Sequence, residues 1–368
     1  MIYADNAATT QMDDAAFELM VDFLRNNYGN ASQPYEFGQK AKAKLIEARK
    51  TIAECIGADP EDIFFTSCGT ESDNWAIKMG SLEVEQIITS EIEHHAILNA
   101  CKAVEATGKN VKYLLVNNKG EVNPTDLINL IDKKRSLVSV MFANNEVGTL
   151  EPIKELAQIA HDNGSIFHTD AVQAVGHVPI NVHELGIDML SASGHKFNAP
   201  KGIGFLYVRK GVDIKTFLDG GAQENRKRAG TENVASIIAM ACALKNNCND
   251  LAENTRHLYV LEKIIIEKLK KSGLDFIRNG SDSHVPGNIN LSFAEAEGEM
   301  ILHRMDIKKI CISTGSACDS VNTQISHVIK AIGVPNRYAE GTVRISLGKY
   351  NSESEAEEIA DALIDVLK

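Results

Sequence analysis

Four segments of this chain put reactive side chains where a fold could use them. Lys196 stands in SASGHKFNAPKGIGFLYV, residues 191–208, after an apolar run and before a Gly-containing strand pattern. A lysine at a strand terminus among small residues can be desolvated, which lowers its pKa and makes it a Schiff-base nucleophile. A solvated loop lysine has the same local sequence, so this segment alone leaves both open. Asp170 closes the run IFHTD of residues 166–170. An acid at the end of a buried strand needs a cation or a donor. It could pair with a protonated pyridine nitrogen, as pyridoxal phosphate requires, or cap a helix begun by the Ala-rich turn that follows. In FTSCGTESDNWAI, residues 65–77, an apolar strand runs into Ser, Gly, Thr and Glu and then a helix. Free backbone N–H groups and a hydroxyl at a helix start make a phosphate seat. The same residues read as a capping box, Thr70 with Asp73, and the two readings are compatible.

The fourth segment is STGSACDS, residues 313–320, where Cys318 lies among Ser, Gly and Ala rather than in an apolar stripe. An exposed loop thiol that ionises is the soft nucleophile that sulfur chemistry needs, and Asp319 beside it opposes the thiolate. His94 and His95, in ITSEIEHHAI, follow a strand and a turn. Either could lie over a ring or cap the next helix. His168 shares a strand face with Asp170 by alternation. The G-x-G at 202–204 lacks a third glycine before a helix, and no C-x-x-C, G-x-S-x-G or metal-ligand spacing occurs.

Elements must bring these segments together. Apolar runs predict strands at Asp62–Thr66, Gln86–Thr89, Leu137–Phe142, Ser165–His168, Met189–Ser191 and Ile203–Val208. Helical patterns lie between them, at Gln39–Ile56, Glu71–Met79, Ala96–Ala106, Pro124–Ile131, Ile153–Asn163 and from Ala171–Gln173 onward. Such alternation indicates an α/β domain with a mainly parallel sheet, whose ligands bind at the carboxyl ends of the strands. Near residue 254 the texture changes to a long charged helix, Asn254–Ser272, then short strands and a final acidic helix, Ser352–Leu367. The expected division is a large domain over 13–253 and a smaller α+β domain built from 1–12 and 254–368.

Composition narrows the possibilities. The 368 residues carry 38 Lys and Arg against 50 Asp and Glu, a net charge of −12, which argues against a whole-surface nucleic-acid or membrane binder. Seven scattered cysteines form no disulfide framework and suit a reducing compartment. The opening residues read as no signal peptide, and the uncharged stretch Asn233–Leu244 is too short and polar to span a bilayer. A cytoplasmic protein is expected.

Taken together and in order, AATT, GTESDN, EHHA, NNEVG, DAVQAVG, SGHK, RAGTEN, STGSAC and VRISLG resemble the cysteine desulfurases of the NifS/IscS type, from residue 3 to about 350. The resemblance implies a pyridoxal 5'-phosphate enzyme of transferase fold type I, in the aspartate aminotransferase superfamily, with a seven-stranded-type sheet. It implies that Lys196 holds the cofactor and moves protons, Asp170 keeps its ring nitrogen protonated, and Gln173 donates to its ring hydroxyl. His94 would stack on the ring and serve in acid–base steps. Gly69, Thr70, Ser193 and His195 would bind the phosphate, with Thr231 contributing from the other subunit of a homodimer. Asn145 would lie beside the ring. Asn30 and Arg344 would grip the carboxylate of L-cysteine, and Cys318 would take its sulfur as a persulfide, leaving L-alanine. The sulfur would pass to an acceptor protein such as an iron–sulfur scaffold, or toward tRNA thiolation.

The chain departs from the family pattern at Ala31, where proline is usual, and at Tyr35, where histidine is usual. Asn225 replaces a common arginine, displaced to Arg226; QISH at 324–327 replaces E-P-S-H; and Asp319 replaces a small polar residue. A selenocysteine lyase or another lyase on the same cofactor is the nearest alternative, and it need not depend on Cys318. A degenerate homologue that only binds partners conflicts with the complete Lys196, Asp170, His94 and Cys318 set. A cofactor-free aldolase using Lys196 leaves the phosphate seat unexplained.

Overall fold

The computed structural model describes residues 1–314 and 325–368. The chain opens with a short strand, β1 (Ile2–Tyr3), followed by helices α1 (Asp14–Asn26) and α2 (Glu36–Ile56). Seven strands then build the large sheet: β2 (Ile63–Thr66), β3 (Gln86–Ser90), β4 (Asn110–Leu114), β5 (Ser136–Ser139), β6 (Ile166–Asp170), β7 (Met189–Ser193) and β8 (Gly204–Val208). Their spatial order is β2-β8-β7-β6-β5-β3-β4. All neighbours are parallel except β8, which runs against both β2 and β7.

Every residue of β2, β3, β5, β6, β7 and β8 is buried, because helices cover both faces of the sheet. The two-residue period sorts these apolar runs into two cores. Phe64, Ile87, Leu137 and Leu206 face helices α3 (Gly69–Gly80) and α4 (His95–Glu105), meeting Trp75, Ile77 and Ile97. Their neighbours Phe65, Ile88, Val138 and Phe205 belong to the opposite core, shared with α2 and the helices Pro124–Ile131, Ile153–Asp162 and Val234–Asn249.

A separate apolar core gathers Leu261 and Ile265 of the helix Leu251–Ser272, Ile359 and Leu363 of the helix Glu353–Leu367, and the inner residues of three antiparallel strands. These are β9 (Phe276–Asn279), β10 (Asn288–Phe293) and β12 (Thr342–Ser346). The short β11 (Ile310–Cys311) pairs in parallel with β1, so the first residues of the chain join this second sheet system. Ser352 and Glu355 form a reciprocal capping box at the last helix, which starts where the sequence predicts.

Three expectations differ. Strand β4 is absent from the sequence reading; at the sheet edge it buries Val111 and Leu114 but leaves Asn110 exposed, so no apolar run marks it. No helix begins at Ala171. Asp170 Oδ1 instead accepts from Val172 N at 2.9 Å and residues 172–177 form turns, the usual outcome when an Asp side chain competes for backbone donors. The helix Val234–Asn249 also went unpredicted, since burial of most residues from Val234 to Leu244 erases the amphipathic period. No helix among the described residues is long and apolar enough to cross a membrane.

Candidate active site

The carboxyl ends of β2, β3, β5, β6 and β7 open into one cavity of about 360 Å³, in the place the parallel sheet predicts. Asp170, the last residue of β6, forms its floor with 5% of its surface exposed. Burial raises its carboxyl above the ordinary range, against the opposing pull of His94 and Lys196. His94 precedes α4 and meets the capping reading. Its Nδ1 accepts from Ala96 N at 3.1 Å as the helix cap, while its ring lines the cavity. Burial lowers its pKa, although Asp170 pulls the other way.

Lys196 lies in the single turn Gly194–Lys196 after β7. Its Nζ donates to the carbonyls of Ala7 at 2.6 Å and Ala8 at 2.8 Å. Gln173 Nε2 donates to the same Ala7 carbonyl at 2.9 Å. His195 Nδ1 lies 3.2 Å from Thr9 Oγ1, and burial together with Lys196 and Lys201 pushes its pKa down to about 4. Residues 7–9 thus hold the lysine and its neighbours in place, which gives the AATT motif a physical purpose.

At the other end of the cavity α3 starts at Gly69. A Cβ there would come within 2.6 Å of Val172 Cγ2, so only glycine lets the helix start approach so closely. Cys68 is the N-cap and supplies no side-chain bond; Glu71 instead reaches back to Ser67 N at 2.8 Å. The Thr70–Asp73 capping box does not form. The first N–H groups of the helix are therefore left facing the cavity, close to Ser193, whose buried Oγ has no partner among the described residues.

Arg344 reaches the cavity from β12. One guanidinium nitrogen donates to Asn145 O at 2.7 Å, another pairs with Asp5 Oδ1 at 2.8 Å, and the buried Nε is unpartnered among the described residues. Asn145 itself lines the wall.

The cavity therefore gathers Gly69, Thr70, His94, Asn145, Asp170, Gln173, Ser193, His195, Lys196 and Arg344. Two predicted residues lie elsewhere. Asn30 is exposed and accepts from Ser32 N at 2.9 Å in a local turn. Thr231, also exposed, borders a separate hollow of about 130 Å³ beside Glu224 and Arg228. Cys318 and Asp319 lie outside the described residues. Among the departures, Ala31 is buried in the large core and Tyr35 is 54% exposed. Asn225 adopts a left-handed φ of 56° between Glu224 and Arg226, also left-handed, a conformation asparagine tolerates better than arginine.

The cavity also takes in residues given no site role by the sequence reading, among them Ala7 and Asp73, together with His95, which that reading left open beside His94, and His327. The last two come within 4.9 Å, ring to ring. The EHH doublet and the retained histidine of QISH were the available signals, but nothing local separates them from solvated histidines.

The cavity offers an amine, an acidic floor, a helix start for an anion and a guanidinium for a carboxylate. A family model described as Aminotransferase class-V matches residues 2–359. "Cysteine desulfurase IscS" of Dictyoglomus turgidum is 45% identical over 372 residues, covering 100% of this chain and 94% of the relative. A solved structure titled "NIFS-LIKE PROTEIN" superposes with a TM-score of 0.94 at 36% identity, covering 100% of this chain and 99% of its own. Another, "SspA in complex with cysteine", does so with a TM-score of 0.84 at 32% identity over 96% of this chain and 100% of its own. With a family match over nearly its whole length and desulfurase relatives spanning all of it, the chain belongs to the class-V aminotransferase family and, within it, to the cysteine desulfurases of the NifS/IscS type.

Proposed function

We propose that this protein is a pyridoxal 5'-phosphate-dependent cysteine desulfurase that converts L-cysteine to L-alanine and carries the sulfur as a persulfide on Cys318. The observation that carries this reading is the convergence of Lys196, Asp170, the α3 start and Arg344 on one cavity. The residues fit the cofactor. Ser193 Oγ, without a partner among the described residues, and the glycine-only approach at Gly69 suit a phosphate, and the buried Asp170 suits a protonated ring nitrogen. Lys196 would hold the carbonyl carbon, His94 would cover the ring face, Gln173 and Asn145 would lie at the ring edge, and His195 would donate to the phosphate.

Bound there, the cofactor would supply an electron sink for the pair left when a Cα proton departs. The rest falls to the protein. Arg344 takes the substrate carboxylate, its Nε, unpartnered among the described residues, being available for a further hydrogen bond. The amine of Lys196, once freed, removes the Cα proton and returns protons later. His94, kept from charging by burial, can accept the substrate thiol proton. Cys318 thiolate attacks the substrate sulfur; the new S–S bond forms as Cβ–S breaks, and protonation of the carbon fragment releases alanine. Thr231 would act across a homodimer, at the partner's phosphate seat, and Asn30 would join Arg344 at the substrate carboxylate. The sulfur would pass to an acceptor protein such as an iron–sulfur scaffold in the cytoplasm. We also take 13–253 as a large cofactor-binding domain and 1–12 with 254–368 as a smaller one, in keeping with their separate apolar cores.

Mass spectrometry after brief exposure to L-cysteine without reductant tests this reading. One added sulfur on the Cys318 peptide, with alanine released, is expected. Alanine without the adduct would instead make the enzyme a lyase.

A further inference from the structure

Behind the cavity floor lies a second carboxyl that the reaction outlined above does not use. Asp73 sits in the first turns of α3, is 1% exposed, and lines the cavity. Its side-chain oxygen, one of Asp170 and a ring nitrogen of His94 all lie within 4.8 Å of one another. Oδ1 of Asp73 is buried with no hydrogen-bond partner among the described residues; the nearest basic atom, His168 Nε2, is 4.0 Å away.

The surroundings decide its charge. Ser191 acts on the Asp73 carboxyl in favour of its charge, its Oγ lies 3.0 Å from His168 Nε2, and His168 Nδ1 is held by Ser139 Oγ at 2.8 Å. His168, fully buried, has its pKa pushed down to about 3, so it is neutral and provides no counter-charge. The other titratable neighbours are Asp170 on β6, Glu93 before α4 and Cys68 before α3, and each disfavours ionisation of Asp73. Among the described residues Lys196 is the cation near this floor, and it acts on Asp170, as His94 does when protonated. Two carboxylates this close in a dry site do not both ionise.

We propose that Asp73 is a positioning residue of the cofactor seat, a neutral carboxyl beside the Ser191–His168–Ser139 chain that offers a hydrogen bond from Oδ1 toward Asp170 and the ring edge. This rests on the reading of Asp170 as the partner of the ring nitrogen. Asp170 then carries the single negative charge of the floor, and Asp73 steadies it without adding a second.

The test compares apoenzyme affinity for pyridoxal phosphate, read by fluorescence quenching, and the pH midpoint of the visible band of the loaded protein. Asp73→Asn keeps shape and a donor without any charge, so affinity within about twofold of the parent and an unmoved midpoint are expected. Asp73→Ala leaves the relay and the floor short of a partner and should weaken binding roughly tenfold. An asparagine variant that loses as much as alanine would show that Asp73 acts as an anion, and would overturn the proposal even if the alanine variant failed to fold. Unchanged affinity in the alanine variant would overturn it as well. Asp170→Asn separates the two readings: it should lose affinity and shift the band whatever happens at Asp73. If it does neither, the assignment of Asp170 fails first, and the inference about Asp73 falls with it.

Discussion

The floor of the cavity and its outer wall are built on opposite electrostatic plans. The floor, at the carboxyl ends of the large sheet, holds Asp170 and Asp73, with Glu93 buried behind it, acids with no ion pair to a Lys or Arg given among the described residues. The wall comes from β12, where Arg344 is already engaged by Asp5 and the carbonyl of Asn145. A floor short of positive charge favours a ligand that brings it, such as a protonated ring nitrogen or an amine. A wall whose cation is already paired binds an anion by exchange, and so holds it less tightly than the bare guanidinium would. The difference teaches that the cofactor end is built for retention and the substrate end for turnover.

The largest expected effect lies on the floor side. Lys196→Ala should lower alanine release by at least about a thousandfold, as expected for loss of a covalent catalyst and proton carrier, and should leave no chromophore after gel filtration. Retained turnover would remove the lysine from the mechanism. On the wall, Arg344→Lys replaces a fork by a point charge and should cut kcat/KM about 30- to 100-fold, chiefly through KM. A loss confined to kcat would mean that Arg344 serves the chemistry rather than the carboxylate.

Glu93 tests the acidic interior behind the floor. Burial is the chief cause that raises its pKa to about 8, so it folds with its proton on, whereas the unfolded chain releases it near the ordinary carboxyl value. The stability it contributes is fully present in acid, below the unfolded value, and is lost progressively as the pH rises toward 8. Glu93→Gln removes this penalty. Its Tm should fall less than the parent's between pH 5 and 8, by roughly a few degrees, as differential scanning fluorimetry across that range would show; parallel curves would mean that Glu93 is charged when folded. The smallest effect is expected at the wall's own counter-ion. Asp5→Asn frees the guanidinium for substrate and should lower KM about two- to threefold with little change in kcat. A higher KM would show that Asp5 orients Arg344 more than it competes for it.

Much of this was legible in the residues. Strand-ending positions such as Asp170 and Lys196 sit just after buried apolar runs, and a parallel sheet delivers such positions to one edge whatever the intervening helices contain. Asp73 was read as the partner of a Thr70 cap because the local pattern matches a capping box; the sheet behind α3 decides that it faces inward. Strand β4 and the helix Val234–Asn249 were missed for opposite reasons, one too exposed at an edge and the other too buried to show a period.

By itself the sequence determined the alternation of strands and helices, the order of the motifs and the chemistry each could carry, since these depend on local periodicity and residue type. Tertiary structure alone decided that the carbonyls of Ala7 and Ala8 hold Lys196, that Arg344 enters from another sheet already paired with Asp5, and that two aspartates nearly a hundred residues apart share one floor. Those outcomes depend on burial and on distances between remote segments, and neither is a property of any short stretch of chain.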